Sequence, residues 1–265
     1  MIQICFYLPY RYPGIVVYTD YPKLRHELSL FYNCSFLPLP EEDFLSITVK
    51  KNCDIFTIVV NGSTFDIDDP LQAISSYIMD NSRIHDKYYS FHAACMAIND
   101  KAYLFLAPTT TGKTTLSTYL AINGLSYNTD DCTVIDKTTF QVQPNSNPIL
   151  LRDGGLHVLK TLGFYPLTQP LSSRHIFRPP LYIDQSLAIK GIFFIDRNEK
   201  TNEIVKIPQS KCIELLMKNA TYNQELSFAY MKFLSKLAQI NAYMLTYKDM
   251  SYVLDIVKSE ENNDT

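Results

Sequence analysis

Residues 101–122 read KAYLFLAPTTTGKTTLSTYLAI, and this stretch decides how the rest of the chain is interpreted. The apolar run Lys101–Leu106 is typical of a buried β-strand, and Thr114–Ile122 is typical of a helix. Asn123-Gly124 follows this helix and provides a common C-terminal cap. The loop Ala107–Thr114 joins the two, so the stretch predicts a strand–loop–helix unit of an α/β fold.

The loop closes with Gly112-Lys113-Thr114, the end of the phosphate-binding Walker A pattern. In that pattern backbone N–H groups and the helix N-terminus bind phosphate oxygens, the lysine reaches the outer phosphates, and the hydroxyl binds Mg²⁺. Ala107 replaces the first glycine of the pattern, and alanine tolerates this position where φ is negative. A threonine-rich turn with a chance Gly-Lys-Thr is the alternative interpretation. The predicted ATP site consists of Ala107, Pro108, Thr109, Thr110, Thr111, Gly112, Lys113, Thr114 and Thr115, with Thr114 also a Mg²⁺ ligand.

A pair of carboxylates follows the predicted helix. Asp130 lies seventeen residues after Lys113, and Asp131 is next to it. One helix and one strand fill that interval, so we expect the pair at a strand end beside the loop. One carboxylate can then hold Mg²⁺ while the other accepts a proton from an attacking hydroxyl. A solvated Asp-Asp turn is the alternative, but the neighbouring loop favours a functional pair.

The two parts of the chain differ in pattern. Residues 1–85 are predicted to be a β-rich region of short strands and turns, which serves as a docking module or, alternatively, as a scaffold layer. Asn61-Gly62 in this region indicates a tight hairpin turn. The predicted elements are strands at 14–18, 44–49 and 54–60 and a helix at 71–79.

Residues 86–265 are predicted to be the catalytic domain, with helices near its C-terminus. The proline-containing segment 144–180 is expected to be irregular and functional, as a substrate loop or lid. The tail 260–265 is expected to be frayed. Other predicted elements are strands at 91–98, 101–106, 125–128, 133–135, 190–196 and 241–247, and helices at 114–122, 210–219, 224–239 and 250–258.

The composition narrows the class of protein. The formal charge is −3 without a basic block, which argues against a nucleic-acid binder. The six cysteines have no zinc-site spacing and are interpreted as free thiols, which fits a reducing cytoplasm. No stretch approaches the apolar length of a membrane span, which is about 20 residues. We therefore expect a cytoplasmic protein without a membrane or nucleic-acid partner.

Three short motifs carry a resemblance to a known family: Phe91-His92-Ala93-Ala94, Gly112-Lys113-Thr114 and Thr129-Asp130-Asp131. Together they resemble the catalytic domain of HPr kinase/phosphorylase, which is related to ATP-dependent phosphoenolpyruvate carboxykinase. The resemblance covers roughly residues 88–200. The layout of the whole chain is similar to small HPr-kinase-like proteins such as lasso peptide kinases. It implies a P-loop core with a mixed sheet after a β-rich N-terminal region, and a homo-oligomer.

The resemblance also implies roles for single residues. His92 would orient or tune one aspartate, Asp130 would be the catalytic base, and Asp131 would help to bind Mg²⁺. Arg152, in Leu150-Leu-Arg-Asp-Gly-Gly155, would act with Lys113 near the transferred phosphoryl group, because a guanidinium neutralises charge on several oxygens. Arg178 is a second, weaker arginine candidate. For both arginines a surface ion pair is the alternative.

Three functions are compatible with these residues. The first is an ATP-dependent kinase that phosphorylates a hydroxyl, of the Ser or Thr type, on a peptide or small molecule. The second is a catalytically weak nucleotide-binding module that recognises a peptide. The third is a carboxykinase for a small carboxylic acid, which would need further acid- and metal-binding residues. The signature that follows the aspartate pair in true HPr kinases is missing, so HPr itself is not the expected substrate.

Overall fold

A computed structural model describes the chain at residues 2–8, 11–32, 44–52, 55–71, 73–74, 77, 87–145, 147–171, 174–221 and 226–262. The chain divides into two compact units, Met1–Asp86 and Lys87–Thr265. Within the described ranges, no helix has the length and apolarity needed to cross a membrane.

The N-terminal unit is built on a five-stranded sheet in which the strands follow one another in chain order. Only the β2–β3 pair is parallel among the pairs of this sheet that are described. The hairpin turn at Asn61-Gly62 is confirmed, because both residues have positive φ, 48° and 78°. The elements are β1 (Ile2–Leu8), β2 (Arg11–Thr19), α1 (Pro22–Tyr32), β3 (Phe44–Asn52), β4 (Ile55–Val60) and β5 (Ser63–Ile67).

The helix α1 was not predicted, since residues 1–85 were interpreted as strands and turns. Leu24 and Leu28 are four residues apart and both buried, which is the spacing of one helix face. Of the helix predicted at 71–79, residues 71, 73, 74 and 77 are helical, and its other positions lie outside the described residues.

The larger unit contains a mixed nine-stranded sheet. Its main path runs β6-β10-β11-β15-β8-β7-β9, with β17 paired to β15 and β16 paired to β17. β8 pairs in parallel with β15, and β15 pairs in parallel with β17. The strands are β6 (Tyr88–Phe91), β7 (Ala93–Ile98), β8 (Lys101–Leu106), β9 (Ser126–Thr129), β10 (Thr133–Asp136), β11 (Gln141–Val142), β15 (Leu187–Arg197), β16 (Glu203–Lys206) and β17 (Ala242–Tyr247).

Helices cover both faces of this sheet. In β8, Leu104 belongs to one hydrophobic cluster and Phe105 to the other, which explains the unbroken apolar run in the sequence. The first cluster includes residues of α4 (Gln209–Lys218) and α5 (Phe228–Leu237). The second includes residues of α2 (Lys113–Ile122), α3 (Asp153–Thr161) and α6 (Met250–Asn262). The predicted α/β class, with a mixed sheet and a β-rich N-terminal region, is confirmed.

Three sequence predictions in this unit are wrong. The strand predicted at 91–98 is two strands that are separated at His92. The segment 144–180 is not irregular, because it contains α3 and a three-stranded sheet in the order β12-β14-β13. Residues 260–262 belong to α6 rather than to a frayed tail, and 263–265 lie outside the described residues. The three strands of the small sheet are β12 (Ile149–Leu151), β13 (Thr168–Leu171) and β14 (Arg174–Phe177).

The prolines of this segment explain the error, because they mark boundaries and edges. Pro148 precedes β12, Pro166 precedes β13, and Pro179 follows β14. Pro170 lies within β13, an edge strand of the small sheet, where a missing N–H donor is tolerated.

Candidate active site

The predicted phosphate loop leaves the carboxyl end of β8. This is also the edge at which the neighbouring parallel strands β15 and β17 end, and ligands of open α/β sheets bind at such edges. Tyr247, the last residue of β17, lies close to the loop: a Cβ added to Gly112 would be 3.9 Å from the Tyr247 hydroxyl oxygen. The strand–loop–helix unit therefore stands where the fold can receive a ligand.

The backbone of the loop explains its departure from the Walker A pattern. Thr110 and Gly112 have positive φ, 73° and 98°, and Ala107 is not among the described residues with positive φ. Alanine at the first position therefore causes no backbone strain. Gly112 is the N-cap of α2 and, as glycine, adopts its left-handed conformation at little cost.

The Lys113 side chain of the loop makes several polar contacts. Its Nζ donates to the carbonyl oxygens of Ala107 at 2.6 Å and Pro108 at 3.3 Å, and it lies 2.9 Å from His92 Nε2. Only 6% of Lys113 is exposed. Burial lowers the pKa of Lys113, and the charges of Asp131 and Asp130 oppose that shift. The two carbonyl acceptors hold Lys113 Nζ inside the loop, at the start of α2.

His92 links this lysine to the aspartate pair from the break between β6 and β7. Its Nδ1 lies 3.0 Å from Asp131 Oδ1 and 3.1 Å from the Asp131 carbonyl oxygen. Because an ammonium group only donates hydrogen bonds, His92 Nε2 accepts from Lys113 and the proton of a neutral His92 stays on Nδ1. Lys113, His92 and Asp131 therefore form an ordered chain of hydrogen bonds.

The two carboxylates differ in environment. The Asp131 side chain is 61% exposed. The hydrogen bond from His92 lowers the pKa of Asp131, partial burial opposes this, and the charges of Lys113 and Arg174 add to the lowering. Asp131 therefore stays ionised.

Asp130 has a more enclosed carboxylate. Its Oδ1 accepts a hydrogen bond from the Tyr127 hydroxyl at 2.9 Å. Burial raises the pKa of Asp130, the Asp131 charge raises it further, and hydrogen bonds from Thr114 and Tyr127 oppose the rise. Asp130 is thus the more basic member of the pair.

The oxygen atoms at this site are of the types that bind Mg²⁺. Thr114 carries a hydroxyl hydrogen-bonded to Asp130, and Asp131 carries an ionised carboxylate. Within the described part of the chain, no group of three or more His, Cys, Asp or Glu side chains could hold a metal by itself. Mg²⁺ commonly binds one or two carboxylates and takes its remaining ligands from water and phosphate, so Thr114 and Asp131 fit this ion.

The two predicted arginines lie at the start of α3 and just after β14. Arg152 is the N-cap of α3 and is exposed, and its side chain forms no hydrogen bond or ion pair among the described residues. The first turn of α3 does pack on the loop helix, because a Cβ on Gly155 would lie 2.8 Å from Thr115 Oγ1. Arg178 lies beside the Tyr182 hydroxyl, and its charge opposes the rise that burial causes in the pKa of Tyr182.

Two residues near the aspartates were missed by the sequence analysis. Arg174, the first residue of β14, lies close enough to Asp131 for its charge to lower the pKa of that carboxyl. Tyr127 donates to Asp130. Tyr127 stands three residues before Asp130 in a four-residue strand, which offered a weak signal. Arg174 is placed by the pairing of β14 with β12 and β13, and no local pattern marks it.

Comparisons with known proteins give matches among solved structures but none among family models or curated proteins. Among solved structures, the chain is similar to the Hpr(Ser) kinase/phosphatase from Coxiella burnetii. The identity is 18%, the match covers 66% of this chain and 95% of that chain, and the TM-score is 0.34. The function of this chain therefore has to be inferred from the contacts of its own residues.

Proposed function

We propose that this protein is an ATP-dependent kinase that transfers the γ-phosphoryl group to a hydroxyl of the Ser or Thr type on a peptide or small molecule. The observation that carries the proposal is the convergence of Lys113, His92, Asp131, Asp130 and Thr114 at the start of α2. The first turn of that helix contains no acidic residue, so its N-terminus remains available to an anion.

In this proposal Asp130 is the general base. The oxygen of the acceptor hydroxyl forms a bond to the γ-phosphorus while the bond from that phosphorus to the β,γ-bridging oxygen breaks. The hydroxyl proton passes to Asp130, and ADP leaves with the electron pair. A base becomes more effective as its pKa approaches the working pH, and both burial and the Asp131 charge raise the pKa of Asp130.

The other residues manage charge. Lys113 would exchange a contact with the loop carbonyls for one with phosphate oxygens, because its three present partners occupy all three of its donors. His92 would hold Asp131 through Nδ1, and Thr114 and Asp131 would bind Mg²⁺. When bound, Mg²⁺ neutralises charge on the phosphates. Arg152 would add a guanidinium at the start of α3.

The proposal is tested by incubating the protein with Mg²⁺, [γ-³²P]ATP and pooled Ser- and Thr-containing peptides. We expect label on the peptides with wild type. Asp130→Asn should lower this transfer by about 10²–10⁴-fold, the usual contribution of a general base. ATP binding by Asp130→Asn should stay within a few fold of wild type, because the loop remains intact.

The matched control is Asp153→Asn, which removes an exposed carboxylate at the start of α3. It should transfer label at the wild-type rate. Wild type that binds ATP without labelling any hydroxyl acceptor would instead favour the nucleotide-binding module. No residue group among those described favours the carboxykinase alternative.

Several expectations stay predictions. Docking of the acceptor by residues 1–85 is supported by β5, an edge strand of its sheet that carries an exposed Phe65. A homo-oligomer, a cytoplasmic location and a protein without nucleic-acid or membrane partners are predictions from the sequence.

A further inference from the structure

Tyr127 is a buried tyrosine that the proposed mechanism does not yet use. It is only 1% exposed, and its hydroxyl donates to Asp130 Oδ1 at 2.9 Å. Burial, followed by the charge of Asp130, raises the pKa of Tyr127 well above its ordinary value. The hydroxyl therefore stays protonated and remains a donor to the carboxylate.

The position of this hydroxyl is fixed from several sides. The Tyr127 N–H donates to the Leu181 carbonyl at 2.9 Å, and its carbonyl accepts from the Ile183 N–H at 2.8 Å. On the other side β9 pairs with β7, where Tyr127 is opposite Met96. The Tyr182 ring packs edge-on against the Tyr127 ring, with centroids 5.8 Å apart and planes at 83°. A side chain restrained in this way can hold a carboxylate in one orientation.

The two side chains that donate to Asp130 belong to different parts of the site. Thr114 lies in the phosphate loop and is also a predicted Mg²⁺ ligand, so its hydroxyl serves two partners. Tyr127 lies on β9, outside the loop, and is not among the predicted ligands of phosphate or metal. Of these two donors, Tyr127 is the one that is proposed to interact with Asp130 alone.

We propose that Tyr127 is a positioning residue, whose hydroxyl holds the Asp130 carboxylate in the orientation that receives the acceptor proton. This inference rests on the proposed kinase function. A phenylalanine at position 127 would keep the same ring, but it would leave Asp130 Oδ1 without this donor. The hydroxyl therefore has a part in the reaction beyond the packing of the ring.

The test is Tyr127→Phe, which removes the hydroxyl and keeps the ring. Loss of a hydrogen bond to a charged group should lower kcat for transfer to the Ser and Thr peptides by about tenfold. The KM for ATP and the affinity for Mg²⁺·ATP should stay within about twofold, because the loop and Lys113 are unchanged. The matched control is Tyr182→Phe, since the Tyr182 hydroxyl lies beside Arg178 rather than Asp130. It should keep the wild-type kcat.

A spectroscopic readout tests the contact without turnover. In protein labelled with ¹³C at the tyrosine Cζ, the Tyr127 signal is identified by its loss in Tyr127→Phe. It should shift in Asp130→Asn and stay in place in Asp153→Asn.

The outcomes separate the two proposals. If wild type transfers the phosphoryl group, three results would overturn the role of Tyr127 alone. They are an unchanged kcat in Tyr127→Phe, an equal fall in kcat in Tyr182→Phe, and a Tyr127 signal that does not shift in Asp130→Asn. A wild type that transfers no phosphoryl group would remove the kinase function, and the positioning role with it.

Discussion

The starts of α2 and α3 are two helix N-termini of the same unit, and they are built differently. α2 begins after Gly112, has no acidic residue in its first turn, and buries Lys113. α3 begins after the exposed Arg152 and has Asp153 in its first turn, where His175 Nε2 lies 2.7 Å from its Oδ1. Both helix starts carry the partial positive charge of the helix dipole.

The difference lies in where the compensating negative charge comes from. At α3 the chain supplies its own carboxylate, so the helix start is satisfied without a ligand. At α2 the nearest carboxylates, Asp130 and Asp131, interact with Thr114 and His92, and no acidic side chain of the first turn faces the helix start. The start of α2 is therefore the one prepared for an external anion such as a phosphate.

The largest difference is expected for a glycine-to-alanine change at each helix start. Gly112→Ala forces alanine to a φ of 98°, which should cost about 1–3 kcal/mol of stability if the loop is kept. If the loop relaxes instead, ATP affinity should fall by tenfold or more, since about 1.4 kcal/mol corresponds to tenfold. Thermal unfolding and ATP titration measure the two effects.

Gly154→Ala is the matched control at α3. A Cβ there meets open space, and its φ lies outside the left-handed region. The free energy of unfolding should be unchanged or slightly higher, because alanine is more favourable than glycine in a helix by up to about 1 kcal/mol. Equal losses of stability and of ATP affinity in Gly112→Ala and Gly154→Ala would mean that the two helix starts are not distinct.

A smaller effect is expected where the two helices touch. In Gly155→Ala the new Cβ would lie 2.8 Å from Thr115 Oγ1, so the Thr115 side chain or one of the two helices has to shift. We expect a loss of about 1–2 kcal/mol in the free energy of unfolding, as in other overpacked sites. Chemical denaturation beside Gly154→Ala measures it. A Gly155→Ala variant as stable as wild type would show that the contact between the helices is loose.

The smallest effect is expected for Thr110→Gly. Thr110 is a β-branched residue with a φ of 73°, so glycine relieves strain of about 1 kcal/mol. Glycine also makes the unfolded chain more flexible, which costs a similar amount. The free energy of unfolding should therefore change by less than about 1 kcal/mol. ATP affinity should stay within about threefold. A tenfold loss of affinity would show that the threonine side chain itself binds the nucleotide.

Local patterns predicted one helix start well. β8, the loop and α2 could be predicted from an apolar run and a helix cap that are adjacent in sequence. The interval from Lys113 to Asp130 has room for one helix and one strand, which places the aspartates near the loop. The α/β class could therefore be derived from residues 101–131. The roles of the site residues stay predictions, although Lys113, His92, Asp130 and Asp131 do lie together.

The other helix start could not be derived in this way. β12 and β14, the strands nearest to α3 in the chain, depend on pairing between residues that are distant in sequence, such as Leu151 with His175. The prolines around them suggested loops, whereas they mark strand ends and an edge strand. Arg174 lies near Asp131 for the same non-local reason, while Arg152, chosen for its local sequence, remains exposed.

The central claim is that the start of α2 binds the phosphates of ATP through Lys113. The most direct measurement is calorimetric titration of wild type, Lys113→Ala and Lys160→Ala with ATP and Mg²⁺, where Lys160 is an exposed lysine in the last turn of α3. We predict that wild type and Lys160→Ala bind alike and that Lys113→Ala binds at least tenfold more weakly. Wild type that does not bind ATP, or Lys113→Ala that binds as well as wild type, would contradict the claim.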